Sequence, residues 1–135
     1  MMRKNKWLTH AMLSISLASF CSVALAKTSK YDLDDEKNIG VASYFSDKFH
    51  GQKTASGEPY DKYDLTAAHA SLPFGTLLHV VNLQNQQSVD VRVNSRPHPS
   101  NRRILDLSKQ AAKELGFLQA GLAKVKITIL RFGEA

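Results

Sequence analysis

Residues 88–108 read SVDVRVNSRPHPSNRRILDLS. In the first seven residues, three valines alternate with polar residues, the two-residue period of a strand with one buried face. A polar loop rich in proline and arginine follows, and Asp106 then stands between Leu105 and Leu107 where a helical pattern begins. The stretch predicts a half-buried strand, a surface loop and one carboxyl group in apolar surroundings.

Two roles are open for Asp106. Apolar neighbours remove water from a carboxyl group, which disfavours its charged form and suits it to proton transfer. Asp106 also lies two residues before Ser108, so it can instead help to cap the helix predicted over Lys109–Leu115. The sequence alone leaves both roles open.

The first 26 residues have the three parts of a secretory signal: a basic start, a mostly apolar stretch over 11–20, and small residues at 24–26. We expect cleavage near Ala26 and a mature protein that is periplasmic or secreted. A membrane anchor is disfavoured because the apolar stretch contains three serines and is shorter than the roughly 20 residues a bilayer needs. Lipid attachment at Cys21 is disfavoured by the bulky Phe20 before it.

The predicted mature chain has 109 residues, enough for one domain, and contains no cysteine. Three of the 18 basic residues lie in the signal, which leaves 15 basic against 12 acidic residues. This small excess suits an anionic polymer such as cell-wall material, but the chain lacks the dense basic stripe of a nucleic-acid-binding protein. The histidines have no compact metal-ligand spacing, so we expect neither a metal nor another cofactor.

The mature chain divides into a polar leader over 27–38 and one domain over 39–132. Strand patterns are predicted over 39–45, 76–83, 88–94 and 125–130, and the long loop over 46–63 is a candidate functional loop. A helix over 108–115 ends at Gly116. Many short strands with one helix predict a small barrel. Four aromatic residues are candidates for stacking on sugars, although core packing accounts better for at least half of them: Tyr44, Phe45, Tyr60 and Tyr63.

Six blocks of the chain, in order, resemble the rare lipoprotein A family over about residues 39–130. The blocks are GVASYF at 40–45, FHGQKTASGE at 49–58, LTAAH at 65–69, LPFGT at 72–76, VRVN at 91–94 and ILDLS at 104–108. The resemblance implies a mainly β fold, a six-stranded double-psi β-barrel with one or two short helices. Alternating strands alone do not predict that topology.

The resemblance also implies action on bacterial peptidoglycan as an endolytic lytic transglycosylase. Such an enzyme cleaves the β-1,4 bond between N-acetylmuramic acid and N-acetylglucosamine, favours strands without stem peptides and leaves a 1,6-anhydro end. Two family site residues match as Glu58 and His69. The family's third, an aspartate, is replaced by Ser95, and serine cannot act as a general acid near neutral pH.

One carboxyl group suffices for this reaction, because the attacking hydroxyl belongs to the sugar itself. We expect Asp106 to be the acid and base, Glu58 to bind sugar or share the proton transfer, and His69 to orient a carboxylate or donate to substrate. Substrate binding is predicted for four residues: Asn94, Ser95, Arg96 and Tyr44. Arginine in particular suits carboxylate recognition.

The alternative is a noncatalytic peptidoglycan-binding envelope protein, which the Ser95 replacement favours. In both interpretations the partner is the glycan strand, no nucleic acid is involved, other envelope or division proteins are candidate partners, and the chain is expected to be a monomer.

Overall fold

A computed structural model describes residues 35–134, so the predicted signal over 1–26 and the leader residues 27–34 lie outside it. The described part contains six strands and one α-helix. In chain order they are β1 Ile39–Tyr44, β2 Thr66–Ala68, β3 Leu77–Asn82, β4 Ser88–Ser95, β5 Leu105–Leu107, α1 Lys109–Glu114 and β6 Ala123–Arg131. Short 3₁₀ turns cover Asp35–Asn38 and Asp47–Phe49. Within residues 35–134, no helix has the length and apolar content needed to cross a membrane.

The six strands close into a barrel in the order β1-β5-β2-β4-β3-β6. The β1–β5 and β2–β4 pairs are parallel, and the other four pairs are antiparallel. This mixed closed barrel with one short helix confirms the fold that the family resemblance implied. Closure pairs both edges of every strand, so no hydrogen-bonding edge is left open.

Strand alternation places the apolar side chains inside the barrel. In β4, Val89, Val91 and Val93 are buried, whereas Asp90 and Arg92 face outward. The interior is completed by buried aliphatic residues of the other strands: Leu78, Val80, Leu105, Leu107, Val125 and Ile127. The half-buried strand predicted from the alternating valines is therefore confirmed.

Helix α1 follows β5 directly and is capped by Ser108. The Ser108 hydroxyl accepts a hydrogen bond from the Ala111 backbone N–H at 3.2 Å, as an N-cap residue does. The side chain of Asp106 takes no part, so the helix-cap role considered for it is wrong. At the other end, Gly116 has a φ of 75° and ends the helix as predicted.

Three elements differ from the sequence prediction. Strand β2 has three residues and lies outside the four predicted strand ranges. Strand β5 has only three residues, too few for a period to show, and the pattern predicted only the helix that follows it. The last four residues of the predicted leader, Asp35–Asn38, form the 3₁₀ turn that precedes β1.

Candidate active site

Asp106 lies on β5 between two buried leucines, with its side chain on the outer face of the barrel. The side chain is only 11% exposed. Its Oδ1 accepts hydrogen bonds from Ser43 Oγ at 2.6 Å and Arg103 Nε at 3.1 Å, and its Oδ2 accepts one from Asn101 Nδ2 at 2.7 Å. A carboxylate accepts hydrogen bonds and cannot donate them, so these three donors match its ionised form.

Strand pairing brings Asp106 and Ser95 into one row across the barrel. Ser43 pairs with Asp106, Asp106 with Ala68, and Ala68 with Ser95. Paired residues of neighbouring strands project to the same face, so the small Ala68 side chain separates the two polar ones. Two strand spacings correspond to about 10 Å between the Cα atoms of Asp106 and Ser95.

A β-bulge at the end of β4 puts Ser95 into this row. Ala67 pairs with Val93 but the next residue, Ala68, pairs with Ser95, so Asn94 is the extra residue. The Asn94 carbonyl accepts a hydrogen bond from the Ser56 backbone N–H at 3.2 Å. The bulge therefore also attaches the 46–63 loop to the end of β4, and bulges near active sites commonly re-aim side chains in this way.

A cleft of about 300 Å³ opens between this loop and the end of β4. Its lining includes Ser95 and Arg96, an aromatic wall of Phe45, Phe49 and Tyr60, and the loop residues 52–55. The Phe45 and Tyr60 ring centroids are 5.2 Å apart. The Tyr60 hydroxyl accepts a hydrogen bond from the Lys109 backbone N–H at 3.1 Å, which fixes this wall to the start of α1. Aromatic walls with a few polar groups are typical of ligand sites.

Glu58 belongs to the loop that forms the cleft wall, but its carboxylate is bound to arginine. Arg92 Nη1 and Nη2 donate to Glu58 Oε1 and Oε2 at 2.8 and 3.0 Å, although the Glu58 side chain is 47% exposed. The hydrogen bonds and charge of Arg92, and a further hydrogen bond from Asn94, lower the pKa of Glu58 against an opposing effect of burial. Glu58 therefore releases its proton more readily than an ordinary glutamate side chain and is held as an anion at neutral pH.

His69 is held as a neutral ring. Its Nδ1 accepts hydrogen bonds from the backbone N–H groups of Ser71 and Leu72, both at 3.1 Å. Burial lowers the pKa of His69, and the nearby charge of Arg96 lowers it further. Because Nδ1 is an acceptor, the neutral ring carries its proton on Nε2, which makes His69 a hydrogen-bond donor.

Arg96 connects His69 to the cleft. Its Nη1 donates to the His69 carbonyl at 2.9 Å, and its guanidinium lies 4.2 Å from the centroid of the Phe74 ring. Stacking on an aromatic face leaves the edge of the guanidinium free for ligands. Arg96 and Ser95 are the two predicted substrate-binding residues that line the cleft.

A second depression, the basic depression, lies on the other side of Asp106. Its volume is about 620 Å³, and its lining residues are Val41, His98, Ser100, Asn101, Arg102, Arg103 and Leu122. Along β1 and the residue that follows it, Val41 lines the basic depression, Ser43 contacts Asp106, and Phe45 lines the cleft. Four residues of extended chain span about 13 Å. Asp106 therefore lies between two concave sites on one outer face of the barrel, and we call the face that carries both sites the groove.

Two of the aromatic candidates lie outside this groove. The Tyr44 hydroxyl donates to the Leu118 carbonyl at 2.6 Å, and its ring packs edge-on against Phe117 on the inner side of β1. Tyr63 packs against His50 on the far side of the loop. Tyr44 lines neither the cleft nor the basic depression, because alternation along β1 turns it to the face opposite Ser43. Its role in substrate binding stays a prediction.

The contacts of the carboxylates include residues that the sequence did not single out. Arg92 could have been suspected, since the alternation in β4 places it outward, but nothing marked Glu58 as its partner. Asn101, Arg103 and Ser43 gave no signal for their contacts with Asp106. Within residues 35–134, no group of three or more His, Cys, Asp or Glu side chains is arranged to hold a metal ion.

The closed, mixed six-stranded barrel with one short helix defines a double-psi β-barrel domain. A family model described as lytic transglycolase matches residues 37–127. The chain therefore belongs to that family, and the resemblance to rare lipoprotein A proteins is confirmed.

Curated relatives agree with this assignment. The endolytic peptidoglycan transglycosylase RlpA of Campylobacter jejuni is 46% identical over 96 residues, 71% of this chain and 35% of that protein. The protein of the same name from Pseudomonas aeruginosa is 51% identical over 89 residues, 66% of this chain and 26% of its own length. This chain thus matches only about a quarter to a third of the length of these relatives.

Solved structures share the fold at low sequence identity. The apo expansin of Clavibacter michiganensis superposes with a TM-score of 0.55 at 24% identity, covering 73% of this chain and 52% of the expansin. The Streptomyces papain inhibitor gives a TM-score of 0.54 at 23% identity, covering 67% and 92%. At these identities, the similarity establishes the barrel architecture alone.

Proposed function

We propose that this protein is an endolytic lytic transglycosylase that cleaves the β-1,4 bond between N-acetylmuramic acid and N-acetylglucosamine in peptidoglycan glycan strands. One observation carries the proposal: Asp106 lies between the cleft and the basic depression on a single outer face. A polymer that occupies both concave sites passes over this carboxyl group. Family membership and the names of the curated relatives support the same reaction.

Asp106 is the acid and base of the proposed reaction. As the acid it gives a proton to the glycosidic oxygen while the bond from that oxygen to C1 of the muramic acid breaks. The 6-hydroxyl of the same sugar then bonds to C1 and returns its proton to Asp106. The products are a free 4-hydroxyl and a 1,6-anhydro end, with no water consumed, so one carboxyl group completes the cycle.

To act as an acid, Asp106 must carry a proton on one of its oxygens. That oxygen must first lose one of its hydrogen-bond donors. Arg103 is the donor best placed to leave, because its side chain is 44% exposed and contacts the carboxylate through one nitrogen only. Substrate that draws Arg103 aside prepares Asp106 for protonation. Ser43 and Asn101 then keep the carboxyl group in position.

Glu58 and His69 support the reaction without donating the proton to the leaving group. Glu58 stays ionised beside Arg92, so its charge favours the positive sugar carbon of the transition state. His69 donates from Nε2 to a sugar oxygen. Asn94, Ser95 and Arg96 bind the strand at the end of β4, with Ser95 contributing its hydroxyl.

We further propose that the protein acts in the periplasm or after secretion, as a monomer. The basis is the predicted signal over 1–26 and the peptidoglycan substrate itself, which lies outside the cytoplasm. Envelope or division proteins are candidate partners.

A second function, glycan binding without cleavage, is favoured by a specific observation. Ser95 lines the cleft where the family has an aspartate, and the carboxylates of Glu58 and Asp106 are both bound by arginine. A chain with these features retains the surface for a strand even where proton transfer is lost.

Mass spectrometry of purified glycan strands incubated with the protein separates the two functions. The transglycosylase produces 1,6-anhydro-muramyl ends, and incubation in ¹⁸O-labelled water adds no label to them. Retention on peptidoglycan with no new ends supports the binding function. An increase in the number of reducing ends, with no 1,6-anhydro ends, would instead identify a hydrolase and contradict the proposed reaction.

A further inference from the structure

The basic depression combines cationic side chains with apolar ones. Arg102 and Arg103 line it together with Val41 and Leu122, and both apolar residues are exposed. Among the side chains that line it, none is acidic. Lys124 is the cross-strand partner of Val41 in β6, so a further cation lies on the same face. The depression therefore suits an anion attached to a small apolar group.

The arginines have unused donors. In the described part of the chain, Arg103 uses only Nε, on Asp106, and no hydrogen bond or ion pair involves the Arg102 guanidinium. Each guanidinium carries five N–H donors in a planar fork that matches a carboxylate. The loop that presents them is ordered by Asn101, whose Oδ1 accepts the Arg103 backbone N–H at 2.9 Å and whose Nδ2 donates to Asp106.

We propose that the basic depression is a subsite for a carboxylate on a short alkyl branch, namely the free lactyl group of a muramic acid residue. Arg102 and Arg103 bind the carboxylate, and Val41 and Leu122 contact the lactyl methyl group. The inference rests on the proposed glycan substrate but not on its cleavage. Because Arg103 also contacts Asp106, occupation of the subsite positions a strand across the catalytic carboxyl group.

The test compares three ligands with the same sugar backbone. They are a glycan tetrasaccharide with free lactyl carboxylates, the same compound with its carboxyls converted to methyl amides, and one carrying stem peptides. Sulfur-linked glycosidic bonds prevent cleavage, so titration calorimetry on the full protein measures binding alone. We expect the wild-type protein to bind the free carboxylate form about tenfold more tightly than the other two, as charge-assisted hydrogen bonds would give.

The arginine variants make the site assignment falsifiable. Arg102→Gln, which does not touch Asp106, and Arg103→Gln are each expected to reduce the tenfold preference to about twofold or less. Arg131→Gln is the matched control, because Arg131 is an exposed arginine at the end of β6, whereas Lys124 beside the basic depression lies at its start. Thermal unfolding checks that all three variants fold.

Each outcome decides the proposal. A preference that survives in both arginine variants, or no preference in the wild-type protein, overturns it. An equal, arginine-dependent gain for the stem-peptide ligand overturns the lactyl assignment, since the recognised carboxylate would then belong to the peptide. Arginine-dependent preference in a protein that forms no 1,6-anhydro ends upholds the subsite and contradicts the transglycosylase.

Discussion

Asp106 and Glu58 carry the same functional group in opposite settings. Asp106 lies on a short buried strand, 11% exposed, with two neutral donors and one arginine nitrogen on its oxygens. Glu58 lies on a loop, 47% exposed, with both oxygens paired to the fork of Arg92. A forked pair fixes the charge of Glu58, whereas Asp106 has a single exposed ionic partner that substrate can displace. These two settings are the reason why we propose proton transfer for Asp106 and electrostatic support for Glu58.

Asp106→Asn gives the largest expected effect. An amide cannot exchange protons with the leaving oxygen, so the rate of 1,6-anhydro formation falls by about 10²–10⁴-fold. Asp90→Asn is the control, because Asp90 is an exposed outward residue of β4 whose partner is His79. Near wild-type rates for Asp106→Asn, with folding confirmed by circular dichroism, would remove Asp106 from the chemistry.

Ser95→Asp is expected to raise the rate by about tenfold. The new carboxyl group lies in the cleft, at the position of the family's aspartate, and supplies a second group for proton transfer. The comparison variant is Ser88→Asp at the exposed start of the same strand. No gain would indicate that the loop with Pro97 and His98 has departed from the geometry that an acid at this position needs.

Glu58→Gln is expected to lower the rate by about tenfold, which corresponds to roughly 1.4 kcal/mol of transition-state stabilisation. The amide keeps one acceptor for Arg92 but loses the negative charge. Glu114→Gln, on the exposed side of α1, should leave the rate unchanged. If Glu58→Gln lowers the rate as much as Asp106→Asn does, Glu58 takes part in proton transfer and the role given to it here is wrong.

His69→Asn gives the smallest effect, on the pH dependence of stability. The pKa of His69 is lowered in the folded protein, so its contribution to stability is full above the ordinary histidine pKa of about 6.5 and is lost as pH falls through the lowered value. Asparagine can still accept the Ser71 and Leu72 N–H groups but does not titrate. Between pH 7.5 and 5, the Tm of the variant should fall less than that of the wild-type protein, by on the order of a few degrees. If the Tm values of the variant and of the wild-type protein fall in parallel, the pKa of His69 is not lower in the folded protein than in the unfolded chain, and the prediction is wrong.

The elements that sequence predicted best are those with a strong local period. Valine alternation identified β4, and the aliphatic repeat identified most of β6, although that strand runs over Ala123–Arg131 and so exceeds the predicted range at both ends. The three residues of β5 form a strand only through pairing with β1 and β2, which lie far away in the chain. No local pattern reports such pairing.

Prediction of the site had the same limit, because local sequence identifies residues but not their partners in the fold. The positions of Glu58, His69 and Asp106 were available from their motifs, but their environments were not. Arg92 lies 34 residues from Glu58 and Ser43 lies 63 residues from Asp106. The bulge that places Ser95 in the row with Asp106 is likewise a property of paired strands. Tyr44 lies on the other side of β1 from Ser43, because one residue along a strand reverses the side that a side chain faces.

The most direct test of Asp106 as the acid and base is a crystal structure of Asp106→Asn with a bound glycan oligosaccharide. If Asp106 is the acid and base, the glycan strand fills the cleft and the basic depression, with a glycosidic oxygen within about 3.2 Å of the substituted side chain. A strand whose glycosidic oxygens all lie beyond that reach, or nearest to Glu58, would contradict that role.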